Sequence, residues 1–416
     1  MAARALDDRT SLAVIGQTRP VTRRGPGLPD VGVFSPWVAA ICLLAFLVSL
    51  CPGRVAAAAT PGSAVDGDTL APATGTRPVD LQIPPNWHEP YKSGWEFVLD
   101  DDAFSLLNRD SNYTGGFMLS LSGRRAAEYP FSLDPWLTRL DDFSGIGKLK
   151  AVNGARQSHD ILFGLAVYTP KNIQVATPIY NDRPYASLLF LANSQQTVIP
   201  AQNIAHQTSL TLGVLGWPVA GDAQNWIHGV LGDATAAGWH NQISDGGELT
   251  ARYTVSAQRA FVTNYRKPGR GIDVIGTTDA SIGYLTDAGV GLAFRIGRIH
   301  SAWWSFHRGQ PDYLNMVSPM LRNGATTPSD EFFLWGGVNA RLQIYNALLQ
   351  GQFRKSVVTF PWDQQNHVLL NLWLGVNREF SNGFRVALVY RAGTPELATA
   401  KEATDYWGSI IIGRTF

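Results

Sequence analysis

Apolar residues alternate with small or polar ones along much of the second half of the chain. In the segment HVLLNLWLGVN, one face carries only apolar side chains, from Val368, Leu370, Leu372, Leu374 and Val376. The other face carries Leu369, Asn371, Trp373, Gly375 and Asn377. The segments VNARLQIYNAL and GVGLAFRIG follow the same scheme. A period of two residues is typical of strands with one apolar face, so the pattern predicts a β protein.

About twelve such strands are predicted. They begin near residues 94, 113, 158, 185, 207, 248, 272, 289, 332, 366, 383 and 406. The further extended segment GQFRKSVVTF is interpreted as part of a hairpin, because bacterial single-chain barrels normally have an even number of strands.

The alternation fits a soluble sandwich with its apolar face inside, or a membrane barrel with its apolar face towards lipid. Many of the segments reach the ten or so residues that a tilted strand needs to cross a bilayer. The chain also ends on an amphipathic strand, YWGSIIIGRTF, and the terminal Phe416 resembles the assembly signal of outer-membrane barrels. We therefore expect an all-β fold, a transmembrane antiparallel β-barrel of the bacterial outer membrane.

The N-terminal region has the features of an export signal. Several arginines precede the apolar run WVAAICLLAFLVSLC, which is followed by the small residues VAAAAT. This order predicts a signal peptide with a long basic extension over residues 1–58, with an uncleaved anchor as the alternative. Residues 59–88 are predicted to be a disordered linker and residues 89–416 the barrel. Both cysteines, Cys42 and Cys51, fall in the signal peptide, so we expect no disulfide in the mature chain.

Composition narrows the possible partners. Only 16% of the 416 residues are charged and the formal net charge is +1, so nothing indicates a nucleic-acid partner. The 13 Trp and 13 Tyr residues would suit the two interfaces of a membrane barrel. We expect a monomer in the outer membrane.

The densest polar motifs fall in three connections of the predicted barrel. DDDAFSLLNRDSNYTGG joins strands 1 and 2, YTPKNIQVATPIYNDRPYA joins strands 3 and 4, and AGDAQNWIHGVLGDATAAGWHNQ joins strands 5 and 6. With an even strand number and both termini in the periplasm, all three open to the cell exterior. The sequence therefore predicts a functional site at the outer rim.

These motifs resemble those of the outer-membrane lipid A 3′-O-deacylases. The resemblance covers nearly the whole mature chain and is based on DDDAF, DSNYTGG, NDRPYA, QNWIH and GWHNQ in this order. It implies a twelve-stranded barrel that hydrolyses an acyl ester of lipid A in the outer leaflet of the lipopolysaccharide-containing membrane. It also implies a mechanism similar to that of secreted phospholipase A2, in which a calcium ion polarises the ester carbonyl and a histidine activates water.

The resemblance implies particular roles. His228 would be the general base, with Gln224 one helical turn earlier to orient it and Thr114 in the site. Asp101 and Asp102 would bind calcium, which prefers hard oxygen ligands, and Lys171 would contact the substrate. Two positions depart from the family: Asp101 stands where the family has Asn, and Ala234 where it has Glu. The neighbouring Asp233 is a candidate to replace that glutamate as a ligand.

Other interpretations remain open at this stage. Arg183 either contacts a lipid phosphate, which a guanidinium binds well, or stabilises the start of a strand. His228 could be an interfacial histidine on an amphipathic loop helix, and the aspartates a solvated strand end. The whole chain could be a non-catalytic barrel, such as a pore or a structural protein, although inward Arg341, Tyr345 and Trp373 would narrow its lumen. A serine lipase is less favoured, because no G-x-S-x-G motif stands out.

Overall fold

The structure is a computed structural model, and it describes residues 88–101, 112–231, 234–267, 270–305, 330–400 and 404–416. The signal peptide and nearly all of the linker lie outside the described residues and stay predictions. Among the described residues, no helix is both long enough and apolar enough to cross a membrane.

Twelve antiparallel strands form a closed barrel in which each strand pairs with its neighbours in the chain and β1 pairs with β12. The strands are β1 (Gly94–Asp101), β2 (Asn112–Ser122), β3 (Arg156–Thr169), β4 (Ala186–Ile199), β5 (Ile204–Leu215), β6 (Glu248–Lys267), β7 (Arg270–Gly283), β8 (Leu285–Arg298), β9 (Glu331–Asn346), β10 (Val368–Glu379), β11 (Phe384–Gly393) and β12 (Asp405–Thr415). The predicted fold class is confirmed, and each predicted strand start lies within four residues of the observed one.

The predicted faces of the strands are confirmed as well. On β10, Leu370, Leu372 and Leu374 are exposed on the outside, while Asn371 and Trp373 are buried inside. An apolar exterior around a polar interior is the arrangement of an outer-membrane barrel, and it is the reverse of a soluble sandwich.

The interior of the barrel is filled by charged and aromatic side chains. Buried ion pairs join Arg252 to Asp287 at 3.0 Å and Arg295 to Asp273 at 2.8 Å. Trp335, Trp373 and Trp407 are also buried in the lumen. Eight-stranded barrels are filled by side chains in the same way, whereas wide aqueous channels need larger, emptier barrels.

Short segments cover both ends of the lumen. A 3-10 turn at Trp303–Ser305, between β8 and β9, places both tryptophans in the interior core. At the other end, α4 (Ala347–Gln350) inserts Leu348 into the same core. The segment 351–360 forms no strand, so its interpretation as part of a hairpin is wrong. It follows an irregular path because Val358 and Phe360 pack against Leu349 and Leu397.

The connection between β2 and β3 contains α1 (Arg125–Glu128), α2 (Asp134–Ser144) and a 3-10 turn at Ile146–Ala151. It lies at the end of the barrel that also holds both strand termini, since Gly94 pairs with Ser122 and Thr415. Most of the long connections lie at the opposite end, as expected for extracellular loops. The one with a long helix, α3 (Val219–Leu231), joins β5 to β6.

Candidate active site on the outer wall

Asp101 ends β1 at the extracellular rim and lies on the outer face of the barrel. Its neighbour Asp100 points inwards, where it is buried and accepts a hydrogen bond from the Tyr113 hydroxyl at 3.3 Å. Successive side chains of a strand point to opposite faces, so Asp101 points outwards. Its register partners on the two adjacent strands are Gly115 and Gly408, which carry no side chains.

Thr114 lies next to this position because β2 contains an irregularity. Tyr113 pairs with Tyr168 and Gly115 pairs with Val167, so Thr114 is an extra residue without a partner in the register of β3. Its hydroxyl lies 2.6 Å from the hydroxyl of Thr169. Thr169 follows the inward-pointing Tyr168 and therefore belongs to the outer face, although it is fully buried. Something other than the wall of the barrel must therefore cover this part of the outer face.

The β5–β6 connection lies against this outer wall. Ala220 of α3, Ala236 and Trp239 pack on Leu165 and Val167 of β3. Both β3 residues alternate with inward-pointing Ala166 and Tyr168, so the contact is on the outside of the barrel. We call this cluster the outer-wall cluster; its other members are Ile173 and Tyr185, with Phe117 and Leu189 at its edge.

Gln224 stabilises the β5–β6 connection and does not orient His228. Its Oε1 accepts a hydrogen bond from the Trp239 indole at 2.8 Å, and the side chain is buried. Trp239 packs against the Tyr185 ring with centroids 4.9 Å apart. Tyr185 donates to the Ile173 carbonyl at 2.9 Å, and burial raises the pKa of its hydroxyl to about 12. Gln224 therefore belongs to a buried network that fixes α3 to the loops beside it.

His228 lies on the side of α3 that reaches the surface. Its Nδ1 is 2.5 Å from the Ala234 carbonyl oxygen, which accepts a hydrogen bond from that nitrogen. The two residues that precede it in the helix, Trp226 and Ile227, are exposed, and Trp226 is exposed by 72%. In the neutral ring, an Nδ1–H that donates to a carbonyl leaves Nε2 as the nitrogen with a free lone pair. Ala234 thus orients the imidazole ring through its backbone carbonyl.

Lys171 and Arg183, the two residues of the β3–β4 connection predicted to contact the substrate, point in different directions. Asp182 accepts hydrogen bonds from the backbone N–H groups of Lys171 at 2.9 Å and Arg183 at 2.8 Å. The Lys171 side chain is exposed. Arg183 is buried, forms an ion pair with Glu396, and lies 4.1 Å above the Tyr168 ring. It lines an interior cavity of about 70 Å³.

This geometry gives no support to Arg183 as a phosphate contact. Its guanidinium faces the lumen because Glu396, from the β11–β12 connection, neutralises it there. A lipid phosphate would lie on the other side of the barrel wall.

The remaining metal candidates, Asp102 and Asp233, lie outside the described residues. In the described ranges, no three or more His, Cys, Asp or Glu residues come together as a metal site. Sequence reasoning did not find the roles of Thr169 and the Ala234 carbonyl, whereas Trp239 shapes the loop, as its motif predicted. The motif GWHNQ was a usable signal for Trp239, because a buried indole N–H needs an acceptor.

An apolar exterior, a filled lumen and a polar site on the outer wall define an outer-membrane β-barrel with its candidate site towards the lipid. The sequence model of the family described as outer membrane protein LpxR matches residues 44–416, and the chain belongs to this family. It is a protein of the bacterial outer membrane.

Among solved structures, LpxR from Salmonella typhimurium matches with a TM-score of 0.59 and 16% sequence identity, over 78% of this chain and 100% of that one. The β domain of the Bordetella autotransporter BrkA matches with a TM-score of 0.37 and 10% identity, over 79% of this chain and 99% of that one. No curated protein matches the chain.

Proposed function

We propose that this protein is a lipid A deacylase, which hydrolyses a 3′-O-linked acyl ester of lipid A in the outer leaflet. The observation that carries the proposal is the position of His228. It lies on a helix that packs against the outside of the barrel, at the rim that carries Asp101 and Thr114. A lumenal enzyme would place these groups inside, whereas an enzyme acting on a membrane lipid needs them on the outer wall.

In this proposal His228 acts as the general base. Its Nε2 takes a proton from a water molecule, and the resulting hydroxide attacks the ester carbonyl. The Ala234 carbonyl accepts a hydrogen bond from Nδ1–H throughout, which stabilises the imidazolium. The protonated ring then returns its proton to the sugar oxygen as the C–O bond of the tetrahedral intermediate breaks. Exposed Trp226 and Ile227 give the acyl chain apolar surface beside the base.

Calcium is the cofactor we propose, and the chemistry of the described residues fits it. Asp101 offers a carboxylate with glycine on both adjacent strands, and Thr114, which precedes its register partner Gly115, offers a hydroxyl at the same rim. Both are hard oxygen donors, which calcium prefers. Asp101 and Asp102 would hold the ion, with Asp233 in place of the family glutamate. When bound, the ion would supply positive charge where the oxyanion develops.

The general base can be tested with two histidines of the same connection. We expect His228→Ala to lower the rate of fatty acid release from lipid A by roughly 10²- to 10⁴-fold, the usual contribution of general acid–base catalysis. His240→Ala is the matched control and should keep the wild-type rate, because its exposed ring contacts the Asn241 side chain and has no part in the proposed mechanism. Equal losses in both variants, or an active His228→Ala, would contradict the assignment.

The proposed metal can be tested separately. Asp102→Ala and removal of calcium by a chelator should each abolish deacylation, and added calcium should restore the chelated wild type but not the variant. Both proteins should still migrate as folded barrels in gels run without heating. A chelated enzyme that keeps its full rate would exclude calcium and leave the histidine mechanism standing.

A further inference from the structure

A polar strip crosses the outer wall of the barrel near the end that holds the termini. Asn193 and Gln195 of β4 and Thr208 of β5 alternate with inward-facing residues such as Ala192 and Ala205, so they lie on the outer face. All three are nevertheless buried. Polar groups facing hydrocarbon are costly unless they find hydrogen-bond partners. The β2–β3 connection supplies those partners.

Each member of the strip is bonded to this connection. Asn193 accepts a hydrogen bond from the Leu133 backbone N–H at 2.8 Å and donates to the Ala126 carbonyl at 3.1 Å. Gln195 donates to the Asp134 carboxylate at 2.7 Å, and Thr208 donates to Asp141 at 2.9 Å. The strands and the connection are therefore complementary, and α2 is fixed to the outside of the wall.

Apolar contacts hold α2 at the level of the apolar outer belt. Leu133 and Leu137 are buried against Leu210 of β5, with Leu140, Leu191 and Tyr253 around them. Leu212, the next outward residue of β5 after Leu210, is 44% exposed and belongs to the belt that faces lipid. α2 therefore replaces part of that belt, and the side of α2 away from the wall continues its surface.

Aromatic side chains flank that side of α2, which also exposes Arg139 and Asp142. Trp136 is 60% exposed and Phe143 is 92% exposed, and Arg139 between them places its guanidinium 4.9 Å from the centre of the Trp136 ring. Phe131, just before the helix, is exposed as well. Exposed Trp, Phe and Arg on one face of a helix that lies along a membrane are typical of interfacial helices.

We propose that the outer side of α2 lies in the periplasmic leaflet of the outer membrane and binds phospholipid at the boundary between headgroups and acyl chains. The leaflet follows from the position of α2 at the end that holds the termini, opposite most of the long loops. We assign phospholipid as the bound partner because the aromatic surface of α2 is continuous with the lipid-facing belt. This contact anchors the barrel from the periplasmic side, while the site on α3 faces the outer leaflet.

The test is the environment of a spin label at position 143. Full-length protein carrying Cys42→Ser, Cys51→Ser and Phe143→Cys is labelled with a nitroxide and inserted into vesicles of phosphatidylethanolamine and phosphatidylglycerol without lipopolysaccharide. Label collisions with oxygen, which concentrates in lipid, are compared with collisions with a water-soluble nickel chelate. Phe163→Cys, on the outer face of β3, is the lipid-facing reference, and Lys355→Cys, in the β9–β10 connection, is the aqueous reference.

We expect the label at 143 to favour oxygen over nickel, as the label at 163 does. A water-like response matching that at 355 would overturn the proposal. Protection from both reagents would also overturn it, since a protein partner rather than lipid would then cover this side of α2. Each labelled protein must keep the heat-sensitive gel mobility of a folded barrel, which position 143 permits because its side chain makes little contact with the rest of the protein.

Discussion

Gln224 and His228 lie one helical turn apart, yet they bond to different parts of the β5–β6 connection. Gln224 binds the Trp239 indole, and His228 binds the Ala234 carbonyl. Helical spacing predicted that the two side chains share a side of α3 and interact, but Gln224 is buried in the loop network while His228 reaches the surface. Spacing alone cannot rank competing partners. The buried indole N–H needs an acceptor more than the surface imidazole needs a second contact. The orienting role therefore passes to a backbone carbonyl that no sequence pattern identifies.

This assignment gives a prediction for Gln224→Leu and Trp239→Phe. Both variants remove the same buried hydrogen bond, so each should destabilise the connection by about 1 kcal/mol, and the double variant should be little worse than either. The rate of proteolysis within residues 216–247 measures this, alongside the deacylation rate. If Gln224→Leu lost as much activity as His228→Ala while Trp239→Phe kept full activity, Gln224 would be the orienting residue after all.

At the scale of the element, the outer position of α3 depends on a close approach of its backbone. A Cβ built on Gly221 would lie 2.7 Å from the Trp239 ring, whereas a Cβ on Gly229 meets nothing within 4 Å. Gly221→Val should therefore displace α3 from the outer-wall cluster and lower the deacylation rate. Gly229→Ala should keep that rate and stabilise the helix by up to about 1 kcal/mol. Equal rates in the two variants would show that this contact does not position His228.

Sequence alone predicted the strands and the helix that carries His228, but not the helices of the β2–β3 connection. A strand between lipid and a polar lumen must alternate along its whole length, as Leu370 to Leu374 do, so its signal is strong. The β2–β3 connection, by contrast, packs a mixed surface of Leu137 and Asp141 on a mixed strip of the wall. The order of apolar and polar residues in this connection can be interpreted only when the polar strip on β4 and β5 is known. The spacing of Leu133, Leu137 and Leu140, with Pro135 near the helix start, was the available signal.

For the whole molecule, the filled lumen is the main structural argument against the pore hypothesis. Its buried ion pairs also predict a large effect on stability. Arg295→Met leaves the Asp273 carboxylate buried without its charge partner and should cost about 3–5 kcal/mol. The control on the same strand is Arg298→Met, which removes an exposed pair with Asp330 and should cost at most about 1 kcal/mol.

Urea unfolding in detergent, followed by tryptophan fluorescence, measures both variants. Similar midpoints for Arg295→Met and Arg298→Met would mean that water enters the lumen and screens its charges. That result would also reopen the pore hypothesis, which conductance in planar bilayers would then decide.

The central claim is that the outer wall of this barrel carries an acyl-ester hydrolase for lipid A. Mass spectrometry of lipid A, incubated with the purified barrel and calcium, tests it most directly. The claim predicts the loss of one 3′-O-linked acyl chain with the wild-type protein and an unchanged mass with His228→Ala. Lipid A of unchanged mass after incubation with the folded wild-type protein, or the same loss with His228→Ala, would contradict it.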